Sequence, residues 1–170
     1  MNRNSNKGFT HESQHNTTIE WYTPASVFEA LNTDFSVDVC SPKGGLPWIP
    51  AAQFLSKEDD GLTTAWEGFV WCNPPYGKQT PLWLEKMKQH NNGIALVFSR
   101  TDCKWFHDYV ATSDIVLFLK SRIKFVDWYG KTGNTGAGNG SMLVGYGDKA
   151  KSVIQQCKLA GALYYPEKKR

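Results

Sequence analysis

Four apolar runs, Gly68-Phe69-Val70-Trp71-Cys72, Gly93-Ile94-Ala95-Leu96-Val97-Phe98, Ile115-Val116-Leu117-Phe118-Leu119 and Met142-Leu143-Val144-Gly145-Tyr146, do most to limit what this chain can fold into. Each is short and apolar at successive positions, which is the pattern of strands buried on both faces. Between them lie stretches of helical spacing. Pro24 opens one that carries Val27, Phe28 and Leu31, and Thr80 to His90 carries Leu82, Trp83, Leu84 and Met87 with Pro81 in its first turn. Trp105 to Val110 reads as a short helix, and Asp148 is placed to cap another over Lys149 to Leu159. Phe35 to Cys40, Ile123 to Val126 and Ala162 to Tyr165 read as further extended pieces. The alternation predicts an α/β fold, a single mostly parallel sheet flanked by helices. In such sheets ligands bind beyond the carboxyl ends of the strands, where Asp38-Val39-Cys40, Asn73 to Tyr76 and Ser99-Arg100-Thr101 fall.

The chain has 170 residues, enough for one domain with a real core and little room for a second, target-reading one. Residues 1–18 are polar and rich in Asn, Ser and Thr, and are expected to be loosely ordered; the domain is expected over 19–166, followed by a basic tail at 167–170. No apolar run reaches membrane-span length or follows a signal-peptide pattern, so a soluble cytoplasmic protein is the expectation. Cys40, Cys72, Cys103 and Cys157 show no metal-ligand spacing, and neither do the four histidines, so no metal is expected. The charge is unevenly spread. Residues 29–60 carry six acids against Lys43 and Lys57, a net −4, while residues 78–131 carry nine bases against five acids, a net +4. One part suits a cation and the other suits phosphates.

Asn73-Pro74-Pro75-Tyr76 closes the first apolar run and carries the chemistry. It suits transfer to an exocyclic amine whose lone pair is delocalised into an adjoining ring or carbonyl, which makes it a poor nucleophile. Such an amine needs hydrogen-bond acceptors rather than a strong base. Asn73 offers a side-chain carbonyl and Pro74 a backbone carbonyl; aimed at the two N–H groups, they favour the tetrahedral nitrogen of the transition state. Each proline fixes its own φ and biases the residue before it toward extended geometry, so both acceptors are held before substrate arrives. Tyr76 supplies a flat face for a planar base, an interaction worth roughly 1–3 kcal/mol in nucleic-acid sites.

In these segments, in order, the chain resembles the small phage-type DNA N6-adenine methyltransferases, relatives of Dam. The carriers are Trp21-Tyr22-Thr23-Pro24, the Phe35 to Cys40 strand, Asp59-Asp60-Gly61-Leu62 with Trp66, Trp71 to Tyr76, Ser99-Arg100-Thr101-Asp102 with Lys104-Trp105-Phe106-His107, and Arg122-Ile123-Lys124-Phe125. The resemblance implies a Rossmann-like S-adenosylmethionine-dependent methyltransferase fold, that cofactor, and DNA as the partner. It implies that Asn73 and Pro74 accept from adenine N6, with Pro75 stiffening the pair, that Tyr76 stacks on the flipped base, and that Phe125 closes over it. Thr23 and Pro24 would lie near the methionine end of the cofactor, Asp38 near its amino-acid moiety, and Asp60, with Asp59 as the alternative, near its adenosine. From the charge of residues 78–131, Lys78, Arg100 and Arg122, with Lys104 and Lys124, are the expected phosphate neighbours, none of them assigned to a particular phosphate. The setting implied is a bacterial cytoplasm, with phage or prophage encoding and restriction-modification among its uses.

One departure stands out. The glycine-rich fingerprint usual after the first strand is replaced by Asp38-Val39-Cys40-Ser41-Pro42-Lys43-Gly44-Gly45, where Cys40 and Ser41 are the small residues left to face a cofactor. The Gly/Asn loop Gly133 to Gly140 does not replace it, since it precedes a strand rather than joining strand to helix. Two other readings stay open. The same tetrad suits an RNA adenine or a protein glutamine, and an inert DNA-binding relative would keep the fold. With so little chain outside the core, loose specificity or a second subunit, as in a homodimer, is the expectation.

Overall fold

The computed structural model describes residues 21–133 and 138–167. The expected N-terminal segment, part of the Gly133 to Gly140 loop and all of the basic tail but Glu167 lie outside the described residues.

Helix α1 (Ala25–Leu31) begins after Pro24 and ends at Asn32, whose left-handed φ of 48° lets its N–H close on Phe28 O. Strand β1 (Phe35–Asp38) follows, then β2 (Ala51–Phe54) and β3 (Val70–Cys72). Helix α2 (Thr80–His90) has the expected bounds, with Pro81 in its first turn and Asn91 as a second left-handed cap. Beyond β4 (Gly93–Phe98), the expected helix at Trp105 to Val110 is a π-helical turn, Phe106–Val110, closed by Ala111 N–H on Phe106 O. Strands β5 (Ile115–Leu119) and β6 (Ser141–Tyr146), helix α3 (Asp148–Gln156) and strand β7 (Gly161–Tyr164) complete the order. Asp148 is the first residue of α3 rather than its cap, a position taken by Gly147 at φ 86°. Ile123 to Val126 forms no strand; Val126 makes isolated bridges to Tyr22 and Thr132.

All seven strands form one sheet in the order β2-β1-β3-β4-β6-β5-β7. The expectation of a mostly parallel sheet is corrected. Pairings β1·β2, β1·β3 and β3·β4 are parallel, whereas β4·β6, β5·β6 and β5·β7 are antiparallel and include the longest ladder, Gly93 to Phe98 against Tyr146 to Ser141. The physical reason is the β5–β6 connection. A parallel return needs a crossover long enough to span the sheet, usually a helix. Residues 120–133 form none, so β6 runs back beside β4.

Both faces are covered. Trp71, Ile94, Leu96, Ile115, Leu117 and Leu143 pack toward α1 and α3 with Phe28, Leu31 and Ile154, while Val70, Cys72, Ala95, Val97, Val116 and Val144 pack toward α2 and the π turn with Leu84, Met87 and Val110. Successive residues of a strand thus enter opposite layers, as the unbroken apolar runs require.

Candidate active site

The parallel half of the sheet ends in a cavity of about 1200 Å3. Its wall is built by the residues that leave β1, β2, β3 and β4: Val39 to Lys43, Leu55 to Glu58, Asn73 to Tyr76, and Phe98.

Asn73 stands half-buried just past β3, and Pro74 is buried behind it. The tetrad is tied to the start of α2, because the buried Thr80 donates its hydroxyl to Pro75 O at 3.0 Å. Tyr76 donates its hydroxyl to Asn73 Oδ1 at 3.2 Å. Its ring stacks on Phe98, with centroids 3.8 Å apart and planes within 12°, and Phe125 stands edge-on to it at 6.3 Å. Some 37% of Tyr76 reaches solvent, but its hydroxyl end is surrounded by protein, and that burial pushes the phenol above its ordinary range. The group therefore stays protonated and donates. An amide oxygen has two lone pairs, so Asn73 keeps a second acceptor position open to a ligand.

After β1 the chain turns at Val39, Cys40 and Ser41, all lining the cavity. Asp38 does not line it. It is 2% exposed and its Oδ1 accepts the Cys40 N–H at 3.2 Å, so it shapes the turn from one layer behind. Burial pushes this carboxyl up to about 7, against the lowering effect of the Cys40 N–H. Below Cys40, the buried Cys72 thiol is held well above its ordinary value by the same desolvation. All four cysteines are free.

The wall continues into the loop from Leu55 to Leu62, which joins the β1 turn where the Ser41 N–H donates to Leu55 O at 2.9 Å. Asp60 lines the cavity with φ 48° and accepts the Leu62 N–H at 3.3 Å. Asp59 instead accepts the Ser56 N–H and hydroxyl at 2.8 and 2.7 Å, which lower its pKa, and lies off the cavity. Lys86 of α2 pins the loop from below, donating to Gly61 O at 3.0 Å, Leu62 O at 2.9 Å and Thr64 O, while Trp66 Nε1 adds a bond to Gly61 O. Desolvation holds Lys86 below its ordinary pKa despite nearby Asp60. Gly61 is required here: a Cβ would lie 2.2 Å from Val39 O and 2.8 Å from the Trp83 ring.

Trp21, Tyr22, Phe125 and Trp128 form the mouth. Tyr22 and Val126 exchange backbone hydrogen bonds at 2.8 and 2.9 Å, which joins the described start of the chain to the β5–β6 connection. Thr23 and Pro24 lie behind this rim rather than on it: Thr23 is 1% exposed, its carbonyl accepts Trp48 Nε1 at 2.9 Å, and its hydroxyl has no partner among the described residues.

Of the residues expected at a site, Asn73, Pro74, Pro75, Tyr76, Cys40, Asp60 and Phe125 therefore line one cavity. Thr23, Pro24 and Asp38 stand directly behind lining residues, whereas Lys78, Arg100 and Arg122 are exposed and outside it. Sequence reasoning missed Phe98, Trp83 and Trp128. Phe98 is the last residue of an apolar strand and Trp83 lies on the buried stripe of α2, so both read as core. Among the described residues no group of three or more His, Cys, Asp and Glu could hold a metal ion, and no helix is long and apolar enough to cross a membrane.

No curated protein and no solved structure matches the chain. A family model described as DNA N-6-adenine-methyltransferase (Dam) matches residues 10–156, a span that contains every cavity-lining residue. The tetrad at the end of β3, the cavity before it and this match agree, and the chain belongs to the DNA N-6-adenine-methyltransferase (Dam) family.

Proposed function

We propose that the chain transfers a methyl group from S-adenosylmethionine to N6 of adenine in DNA, with the target base turned out of its stack and laid on Tyr76. The observation that carries this reading is the meeting of the Asn73 side-chain oxygen with a partly exposed tyrosine ring inside a cavity of about 1200 Å3. Ligand pockets commonly measure roughly 300–1,000 Å3, so this one has room for a cofactor beside a planar base.

The lining fits S-adenosylmethionine. Leu55, Leu62 and Trp83 give an apolar wall for an adenine ring, the Asp60 carboxylate is available to hydroxyl or ammonium groups, and Cys40 and Ser41 leave the backbone after β1 approachable where glycines are usual. When bound, this cofactor supplies an electrophilic methyl group, which passes from sulfur to the amine nitrogen as its bond to sulfur breaks. The chain does the rest by position. Asn73 Oδ1 and the Pro74 carbonyl accept the two N–H groups and leave the lone pair free to attack. Tyr76 holds the base by the face that Phe98 does not cover, and Phe125 meets the base from its edge-on position. Asp38 and Thr23 act through the residues before them, Asp38 by fixing the Cys40 turn and Thr23 by anchoring the start of the rim. The proton lost by the amine goes to water. Extruding a base costs a few kcal/mol, which Lys78, Arg100 and Arg122 offset at the phosphates.

Plasmid DNA methylated with labelled cofactor tests this reading. Label should appear at N6 of adenine. Asn73→Ala should lose roughly 10²–10³ in kcat, the usual loss for one preorganised acceptor or donor at a reacting centre, while cofactor affinity by calorimetry stays within about twofold of wild type. Equal turnover in the variant rules out the acceptor role, and wild type that neither binds cofactor nor labels DNA rules out the activity.

A further inference from the structure

The β5–β6 connection gives Phe125 and Arg122 to methyl transfer, but the turn that follows them has no part in that reading. Residues 120–133 of the connection form no helix and no strand of the sheet, and connections of that length are uncommon in compact domains and are usually functional. Within it a tight turn is built. Asp127 N–H donates to Lys131 O at 2.9 Å, Gly130 N–H donates to Asp127 O at 3.0 Å, and Asp127 Oδ1 accepts the N–H groups of Tyr129 and Lys131, both at 2.9 Å. Gly130 supplies the left-handed φ of 76° that closes it. Val126 anchors the base of the turn between Tyr22 and Thr132.

A turn locked in this way carries two large aromatic rings: Tyr129 is 81% exposed, and Trp128 is 47% exposed with its ring edge-on to Tyr22 at 6.4 Å. Trp128 also lines the cavity, and Tyr129 follows it on the same turn. Around them Lys120, Arg122, Lys124 and Lys131 are all exposed. The sole carboxylate of residues 120–133, Asp127, is engaged by the turn, and the ion pairs among the described residues, Lys43 with Glu58 and Lys104 with Asp108, use none of these four cations. Exposed rings alone would suit an apolar protein partner. Rings set in a segment with four cations and one carboxylate, a net +3 over residues 120–133, suit a polyanion with planar groups, because every nucleobase has a π face and every phosphate a charge.

We infer that Trp128 and Tyr129 stack on the nucleotides flanking the target base in its own strand, with the four cations on the phosphates, so that this strand is held unpaired as it enters the cavity. This rests on the DNA-methylation reading.

The test is binding of fluorescent single-stranded DNA across a salt series by wild type, Tyr129→Ala, Trp128→Ala and Lys124→Gln, with thermal melting to show that each variant folds. Tyr129→Ala should weaken binding by about tenfold with an unchanged salt slope, whereas Lys124→Gln should reduce that slope by about one contact. Strands with abasic sites beside the target should bind wild type about tenfold more weakly and Tyr129→Ala no more weakly than intact strands. The inference is overturned if both ring variants bind like wild type, if their loss persists in full on abasic strands, or if an RNA of the same sequence binds more tightly than the DNA. If wild type methylates DNA and the ring variants bind normally, only this inference fails. If wild type binds no DNA, it fails together with the activity.

Discussion

The two halves of the sheet do different work. The parallel half, β2-β1-β3-β4, ends in the turns that wall the cavity, and of the six buried polar residues among the described residues three belong to it or its connections, Asp38, Ser41 and Thr80, while Thr23 precedes α1. The antiparallel half, β6-β5-β7, contributes no strand residue to the cavity, and the remaining two of those buried polar residues are Ser141 in β6 and Ser113 just before β5. It reaches the site through the β5–β6 connection alone, with Phe125 and Trp128. Parallel strands end together at one edge, so their following turns converge and supply chemistry. Antiparallel strands send alternate ends away, and that half serves as backing and as the base for one projecting arm.

If that division is functional and not mechanical, both halves should still share one core. Trp71 in β3 packs its ring on Phe28 and Phe35, with centroids 4.9 and 5.5 Å away, and Leu143 in β6 is fully buried in the same layer. Trp71→Ala is expected to cost about 3–5 kcal/mol and Leu143→Ala about 2–5 kcal/mol. Urea unfolding followed by circular dichroism and by tryptophan fluorescence should give one coincident transition for each variant. Separate transitions would mean that the antiparallel half is an independent unit, and the comparison would have to be redrawn.

The next largest effect concerns buried charge, which divides the halves most sharply. Asp38 is the one buried residue with an ionisable carboxyl among the described residues. Its carboxyl stands at about 7 in the fold against an ordinary 3.8. A carboxyl that ionises less readily folded than unfolded keeps its proton in the native state across that window, while the unfolded chain releases it. Its contribution to stability is therefore greatest below about pH 4 and is lost as the pH rises toward 7. Asp38→Asn keeps a carbonyl for the Cys40 N–H and removes the titration. The variant should gain on the order of 3 kcal/mol over wild type at pH 8 and little at pH 4. Paired denaturation curves at the two pH values measure this, and a difference that does not change with pH would show that the Asp38 carboxyl ionises as readily in the fold as in the unfolded chain.

Much of this division could be read from the sequence, and the exceptions have physical causes. The apolar runs located β3, β4, β5 and β6, and Pro81 with the Thr80 to His90 spacing gave α2 its bounds. Strand direction was not legible, because alternating or unbroken hydrophobicity is the same in either sense; only the lack of a helix over residues 120–133 bears on it. Strand β2 was hidden, since Ala51 to Phe54 is short, half exposed and preceded by a proline-rich loop. At the site the tetrad was plain, since its two prolines fix the local backbone whatever surrounds it. Asp38 was expected to face a ligand, but whether a strand-end carboxylate points out or in depends on neighbouring strands. Phe98 was invisible as a site residue because an aromatic ending an apolar run looks like core until its partner, Tyr76, is placed against it.

Tyr76 is where the two halves meet, stacked on Phe98 of the parallel half and edge-on to Phe125 of the connection, and it offers the finest test. Tyr76→Phe keeps both ring contacts and removes only the hydroxyl that donates to Asn73 Oδ1 at 3.2 Å. A hydrogen bond of this kind contributes about 0.5–1.5 kcal/mol, so its loss leaves the Asn73 amide free to rotate away from its acceptor pose. Turnover should fall severalfold, with melting temperature and DNA affinity close to wild type because the stacking surface is intact. A rise in turnover would reverse the assignment: the hydroxyl would then be competing with the substrate amine for the Asn73 oxygen, and the contact would hold the site in check until a base displaces it.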